Sequence, residues 1–236
     1  MDIDKYIYEL YNKKNPDYDN DYYKSNKDNE YSEDMEDREC KEDREDRECR
    51  ERRCHNNRQR ESTSIIPFAS GGPVTLVTSP PNLHQVMAAI AFGNQSPVVA
   101  DPTTRDIILT PPQTPPALNM AFSMPRFGII RSIAAYFSIT SGVTIPAGTT
   151  VTVRAQLYQS TAPNDTFTPI AGTLVTLVPS FSGTLVPGNR AHAILSNLRI
   201  PVRPETRLLL VFSAVASPNT TRVTLIGHAS AGITIR

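Results

Sequence analysis

Tryptophan is absent from the 236 residues, lysine is absent after residue 62, cysteine is absent after Cys54, and glycine is absent before Gly71. Each gap excludes something. A collagen triple helix needs glycine at every third position, so no such stalk forms ahead of Gly71. With no cysteine beyond Cys54, the rest of the chain has no disulfide and no thiolate metal site. No apolar run approaches the roughly 20 residues of a membrane-spanning helix. Met1 to Leu10 carry acids where a secretory signal carries bases. Neither Sec-type export nor a membrane partner is expected.

What is present is divided sharply. Residues 1–62 hold 20 acidic and 14 basic side chains, and their aliphatic and thioether residues are only Met1, Ile3, Ile7, Leu10 and Met35. Residues 63–236 hold four acids (Asp101, Asp106, Asp165, Glu205), ten arginines and 19 of the 20 prolines. The formal net charge of zero is thus a cancellation between unlike parts. The reading is one domain of ordinary size, 63–236, behind a charged arm, 1–62, that cannot offset its ordering entropy by burial and is expected to be disordered.

Within the arm, Glu36-Asp37-Arg38-Glu39-Cys40 recurs as Glu45-Asp46-Arg47-Glu48-Cys49, and Arg50-Glu51-Arg52-Arg53-Cys54 is a degenerate third copy. Two readings stand: a solvated low-complexity tail, or three spaced thiols, Cys40, Cys49 and Cys54, that form intermolecular disulfides under oxidising conditions. Zinc held by Cys40, Cys49, Cys54 and His55 is disfavoured because ligands usually pair two to four residues apart, whereas the cysteine gaps here are nine and five. The −6 arm and the +6 domain also predict that arginines of one subunit attract the acidic arms of others.

Beyond the junction the hydrophobic period becomes two. In Thr150 to Leu157, Val151, Val153, Ala155 and Leu157 share one face, which predicts a strand buried on one side. Leu208, Leu209, Leu210, Val211 and Phe212 are apolar without alternation, so both faces of that strand need cover, from a second sheet or another subunit. The segment with Ile129, Ile130, Ile133, Tyr136 and Phe137 is similar, and these two groups are the expected core and interface. Further strands are expected at 74–77, 86–92, 106–109, 119–123, 173–178, 191–200 and 223–235, with turns at Ile145-Pro146-Ala147-Gly148 and Val186-Pro187-Gly188-Asn189. Many short strands without a helical segment predict an all-β, antiparallel jelly-roll β-sandwich. Its doubly buried strands suggest an oligomer.

The residue inventory argues against an enzyme. Four acids in the domain leave few pairs for glycosidase chemistry. Asp101 and Asp106, flanking Pro102 and Arg105, read as a turn with a local ion pair, and Glu205 between Arg203 and Arg207 reads as a salt bridge at a strand entry. His84, His192 and His228 are scattered, without metal-ligand spacing or the clustered His and Glu of a cupin. Ser70 lacks the Gly-x-Ser-x-Gly elbow, and no Gly-Lys-Ser/Thr follows Gly71-Gly72. No catalytic residue, metal or cofactor is expected. Nucleic acid is not an expected partner either, because the arginines are dispersed and not interleaved with aromatics.

Particular strings carry a resemblance. Ile65-Ile66-Pro67-Phe68-Ala69-Ser70-Gly71-Gly72-Pro73-Val74-Thr75-Leu76, Ala121-Phe122-Ser123-Met124-Pro125, Ile133 to Ser138, Ala155-Gln156-Leu157-Tyr158, Asn164 to Pro169, Ile200 to Ala214 and Gly227 to Ile235 resemble the C-terminal domain family of the exosporium glycoprotein BclB. The resemblance spans 64–236. It implies a structural protein of the bacterial endospore surface, in the exosporium or outer coat, with a homotrimeric jelly-roll head assembled from the mother-cell cytoplasm. The collagen-like tract that commonly precedes the family's domain is missing. In its place stands the cysteine arm, which would tether the head to other spore-layer proteins. Two alternatives from other classes are a glycan- or host-surface-binding module, which fold analogy alone supports, and a phage fibre head.

Overall fold

The computed structural model describes residues 63–80, 85–109, 120–162, 164–218 and 222–236. The expectations placed on residues 1–62, including Cys40, Cys49 and Cys54, and on His84 lie outside the described residues. The strands in chain order are β1 (Ser64–Ala69), β2 (Val74–Val77), β3 (Val86–Ile90), β4 (Gln95–Val99), β5 (Ile107–Ile108), β6 (Phe122–Ser123), β7 (Gly128–Ile139) and β8 (Val143–Thr144). They continue as β9 (Thr150–Ser160), β10 (Thr166–Pro169), β11 (Val175–Thr176), β12 (Thr184–Leu185), β13 (Arg190–Leu195), β14 (Ile200–Val202), β15 (Arg207–Ser217) and β16 (Thr224–Ile235). No helix occurs among the described residues.

The long strands form two antiparallel layers. The first runs β13-β7-β16-β1, with β2 continuing along the same side of β16 as β1. The second runs β4-β3-β15-β9-β10, and only the Val77–Val86 pair joins β2 to β3. Successive long strands pass from layer to layer, and β15 and β16, last in sequence, lie between earlier strands. This is the double-sheet jelly roll.

Side-chain periodicity explains the layers. On β9, Val151, Val153, Ala155 and Leu157 are fully buried between the sheets, while Thr152, Arg154 and Gln156 face out and are half-buried. The complementary wall comes from Ile130, Ile133 and Phe137 of β7 with Ala229 and Ile233 of β16. β15 is buried on both faces. Leu208, Leu210 and Phe212 enter the inter-sheet core, whereas Leu209 and Val211 lie on the outer side under Met87, Val98, Ile107, Leu109 and Met120. Its apolar run is therefore satisfied within one chain, and the inference from doubly buried strands to an oligomer is not required.

Two strands were hidden by proline. Pro67 in β1 and Pro97 in β4 remove a ladder donor, and each strand lies outermost in its layer, where that loss is tolerated. The strand expected over 191–200 is two strands, β13 and β14, interrupted near Asn197, whose φ is 61°. The expected turn at Val186 to Asn189 forms: Gly188 has φ 95°, Asn189 N–H donates to the Val186 carbonyl at 3.1 Å, and Val186 N–H donates to Asn189 Oδ1 at 2.7 Å.

Gly227 on β16 is needed for close approach. A Cβ there would lie 2.3 Å from the Ser138 carbonyl oxygen and 2.6 Å from the Phe137 ring, and the neighbouring strand's backbone cannot easily yield. Gly227→Ala is expected to lower unfolding free energy by about 1–3 kcal/mol, the usual range for overpacking. Denaturant titration of the full-length chain checks this, and a loss below about 0.5 kcal/mol, typical of neutral surface changes, would remove the packing argument.

Candidate assembly surface

The outer face of the first sheet is unlike the rest of the surface. Cross-strand register places its side chains in three rows. One row is His192, Tyr136, Ser230 and Ala69; the next is Ile194, Ala134, Gly232 and Pro67; the third is Ser132, Thr234 and Ile65. No Asp, Glu, Lys or Arg stands in these rows. Ser132 Oγ donates to Thr234 Oγ1 at 2.9 Å, so the third row satisfies part of its polarity internally. Ile194 and Ile65 are each 72% exposed and Tyr136 is 39% exposed. Large apolar side chains thus rim a shallow groove floored by Ala134, Ser230 and Gly232. Exposed apolar side chains gathered on one face without acids, lysines or arginines make this face the candidate for an interaction surface.

Gly232 sharpens the point. Its φ lies outside the left-handed region, and a Cβ built there meets only Ile65 Cγ2 at 3.8 Å, an ordinary contact. Gly227, five residues earlier on the same strand, is required by internal packing, but Gly232 is not. A glycine in a strand interior weakens the strand, and a common reason to keep one is another backbone approaching closely from outside.

Of the residues expected to form core and interface, Ile130, Ile133, Phe137, Leu208, Leu210 and Phe212 are inter-sheet core, and Leu209 and Val211 are core on the opposite side of the second sheet. Ile129 is half-buried at the start of β7, its N–H donating to the Arg236 carbonyl at 2.7 Å. Tyr136 alone in that set belongs to the exposed rows. Sequence reasoning missed the surface's other members, among them Ala134, His192, Ile194, Ser230, Gly232 and Ile65. The signal was present in Ala229-Ser230-Ala231-Gly232-Ile233, where the residues alternating with the core set, Ser230 and Gly232, are small.

The ion pairs differ from expectation. Arg207 pairs with Asp165 at 2.9 Å, donates to the Asn164 carbonyl at 3.0 Å and stacks over the Phe167 ring at 5.1 Å. Glu205 instead occupies a tight turn at φ 66°, with its N–H donating to the Met124 carbonyl. The turn between Asp101 and Asp106 forms, its ends joined by Asp101 N–H to the Asp106 carbonyl at 2.8 Å. Arg105 nevertheless forms no ion pair with a described residue. Ser70 is buried, and its Oγ accepts the Ala229 N–H at 3.2 Å. Among the described residues, no three His, Cys, Asp or Glu side chains converge as metal ligands would.

No family model matches the chain. Collagen-like protein 1 of Acanthamoeba polyphaga mimivirus is 30% identical over 154 residues, which is 63% of this chain and 16% of that protein. The chain therefore spans about a sixth of that relative's length. Among solved structures, the Eiger TNF of S. frugiperda is similar over 72% of this chain and 93% of its own, at 9% identity and a TM-score of 0.29. Naturally occurring empty particles of cowpea mosaic virus match over 69% of this chain and 80% of theirs, at 12% identity and a TM-score of 0.23. At such scores the jelly-roll assignment rests on the strand order above and not on these likenesses.

Proposed function

We propose that the protein is a non-enzymatic structural component of the bacterial endospore's outer surface, whose jelly-roll head associates as a homotrimer through the outer face of its first sheet. The observation that carries self-association is the uncharged face containing Gly232, for which the subunit's own packing supplies no reason. The spore location is supported by the resemblance of 64–236 to the BclB C-terminal family. In this reading the head is deposited from the mother-cell cytoplasm, residues 1–62 tether it to other spore-layer proteins, and disulfides from Cys40, Cys49 and Cys54 make the tether covalent. A surface position on a virus particle is the second reading, favoured by the mimivirus relative.

Immunogold labelling of mature spores and vegetative cells, against a deletion strain, tests the location. Label confined to the spore exterior is the expected result; label elsewhere would put the particle-surface reading ahead of it. In the same strains, replacing all three cysteines by serine should release most of the protein from spores under non-reducing extraction. Unchanged retention would remove the disulfide tether.

A further inference from the structure

The outer face of the second sheet lies on the opposite side of the sandwich, and it is sealed over only part of its area. Ile107, Leu109 and Met120 cover Leu209 and Val211, but one row further along, the cross-strand pair Arg154 and Ser213 is half-buried at the surface. At that boundary Arg105 closes a pocket of about 50 Å³ whose polar lining is Arg105, Arg154, Gln156, Tyr158 and Ser213.

The charge in this pocket is unbalanced. Two guanidinium groups line it and no carboxylate does. The Nε of Arg154 is buried and has no hydrogen-bond partner. Neither arginine forms an ion pair with a described residue. Of the two acids near Arg105, Asp101 has its Oδ1 engaged by the N–H groups of Thr103 and Thr104 at 2.8 and 2.9 Å, and Asp106, close enough to act on Tyr158, neither lines the pocket nor forms an ion pair with Arg105. That turn leaves Arg105 at φ 67°, a conformation uncommon for a residue with a side chain. Burial raises the Tyr158 pKa, with Arg105 acting against the rise and Asp106 adding to it, so the phenol stays neutral and able to donate at ordinary pH. All these groups carry N–H or O–H donors and line one space, and a buried guanidinium N–H without an acceptor is unfavourable.

Size then limits the ligand. One water needs about 10–15 Å³ on this measure, so the pocket admits about four water-sized atoms. A carboxylate, with three heavy atoms, fits; a sugar ring does not. We propose that this pocket is a carboxylate-binding site that takes the acid group of a small organic acid or of an acidic sugar, leaving the remainder of the ligand outside against Leu174 and Val215. Planar guanidinium and planar carboxylate are matched for paired, charge-assisted hydrogen bonds, and Ser213 and Gln156 supply further polar contacts at the rim. The site is independent of the assembly face, so either can fail while the other stands.

Calorimetric titration of the full-length protein tests it, using sodium acetate, D-glucuronate, D-glucose and inorganic phosphate as probes. Both carboxylates should bind saturably and more weakly as salt rises, while glucose should give no signal. Glucuronate binding at least about tenfold tighter than acetate assigns the site to acidic saccharides; equal affinities assign it to free acids. Arg154→Gln and Arg105→Asn should each weaken binding by about tenfold or more. Arg105 is on an exposed turn and asparagine tolerates its backbone conformation, so this variant keeps the test valid if Arg154→Gln fails to fold. The proposal is overturned by absence of saturable carboxylate binding, by unchanged affinity in Arg105→Asn, or by phosphate competing as well as the carboxylates do.

Discussion

Full-length protein carrying Gly232→Arg is expected to sediment as a 26.1 kDa monomer and the wild type, on the proposed assembly, as a trimer, with the far-ultraviolet signature of β structure the same in both. The argument has two halves. Inside the subunit, position 232 has room: no atom lies closer than 3.8 Å to an added Cβ, so the new side chain extends outward without disturbing Ile233 or the core behind it. Replacing glycine within a strand also removes an entropic penalty of roughly 0.5–1 kcal/mol, so the monomer should unfold no more readily than before. Across the interface the same change places a charge and a long side chain in the floor of an uncharged groove. Leaving that charge buried and unpaired is unfavourable by several kcal/mol, and each 1.4 kcal/mol is a tenfold change in association. Assembly should therefore be lost at micromolar protein. Retention of the trimer in this variant would exclude the outer face of the first sheet as the assembly surface. A monomeric wild type would remove self-association from the proposed function altogether.

Phe212→Ala should lower the stability of the head by about 3–5 kcal/mol, the usual scale for a buried phenylalanine. Phe212 is fully buried on β15, between the sheets, with cross-strand neighbours Ala88 on β3 and Ala155 on β9. Those alanines are too small to fill the space that the ring leaves, so the variant retains a cavity between two sheets that cannot collapse without losing their ladders. Tyr136→Ala, on the outer face and 39% exposed, removes a similarly large ring but leaves no enclosed cavity, so it is expected to cost a dissociated subunit clearly less than Phe212→Ala. Denaturant unfolding should be followed at low protein concentration, because assembly adds its own stabilisation by mass action. Equal losses for the two variants would mean that the inside and outside of the sandwich have been assigned wrongly.

The contrast between these residues shows how far linear pattern reaches. On β9, strict alternation of Val151, Val153, Ala155 and Leu157 with polar residues announced both strand and buried face, because the pleat sends successive side chains to opposite sides. On β15, the unbroken run from Leu208 to Phe212 announced two covered faces but not what covers them. The cover on the outer side comes from Ile107, Leu109 and Met120, about 90 to 100 residues away in sequence, and no local periodicity reports a contact at that distance. The short strands β1 and β4 were missed because each contains proline, and proline is tolerated at a sheet edge only after the topology has placed the strand there.

The binding features divide in the same way. Composition was enough to separate a charged, cysteine-bearing segment from an all-β domain, and to leave that domain with four acids, no thiols and no spaced metal ligands. Those are properties of residue type and spacing, which the chain carries before it folds. Which residues meet was decided by the fold. Tyr136, Ser230 and His192 become one row on the outer face through the pairing of β7, β16 and β13, and Arg105 lines a pocket with Arg154 because a left-handed turn ends beside the second sheet. The two glycines of β16 read alike along the chain; only the packing around each distinguishes Gly227, which a neighbouring backbone requires, from Gly232, which nothing inside the subunit does. Chemistry was written locally, whereas adjacency arose from strand register and layer packing between segments far apart in sequence.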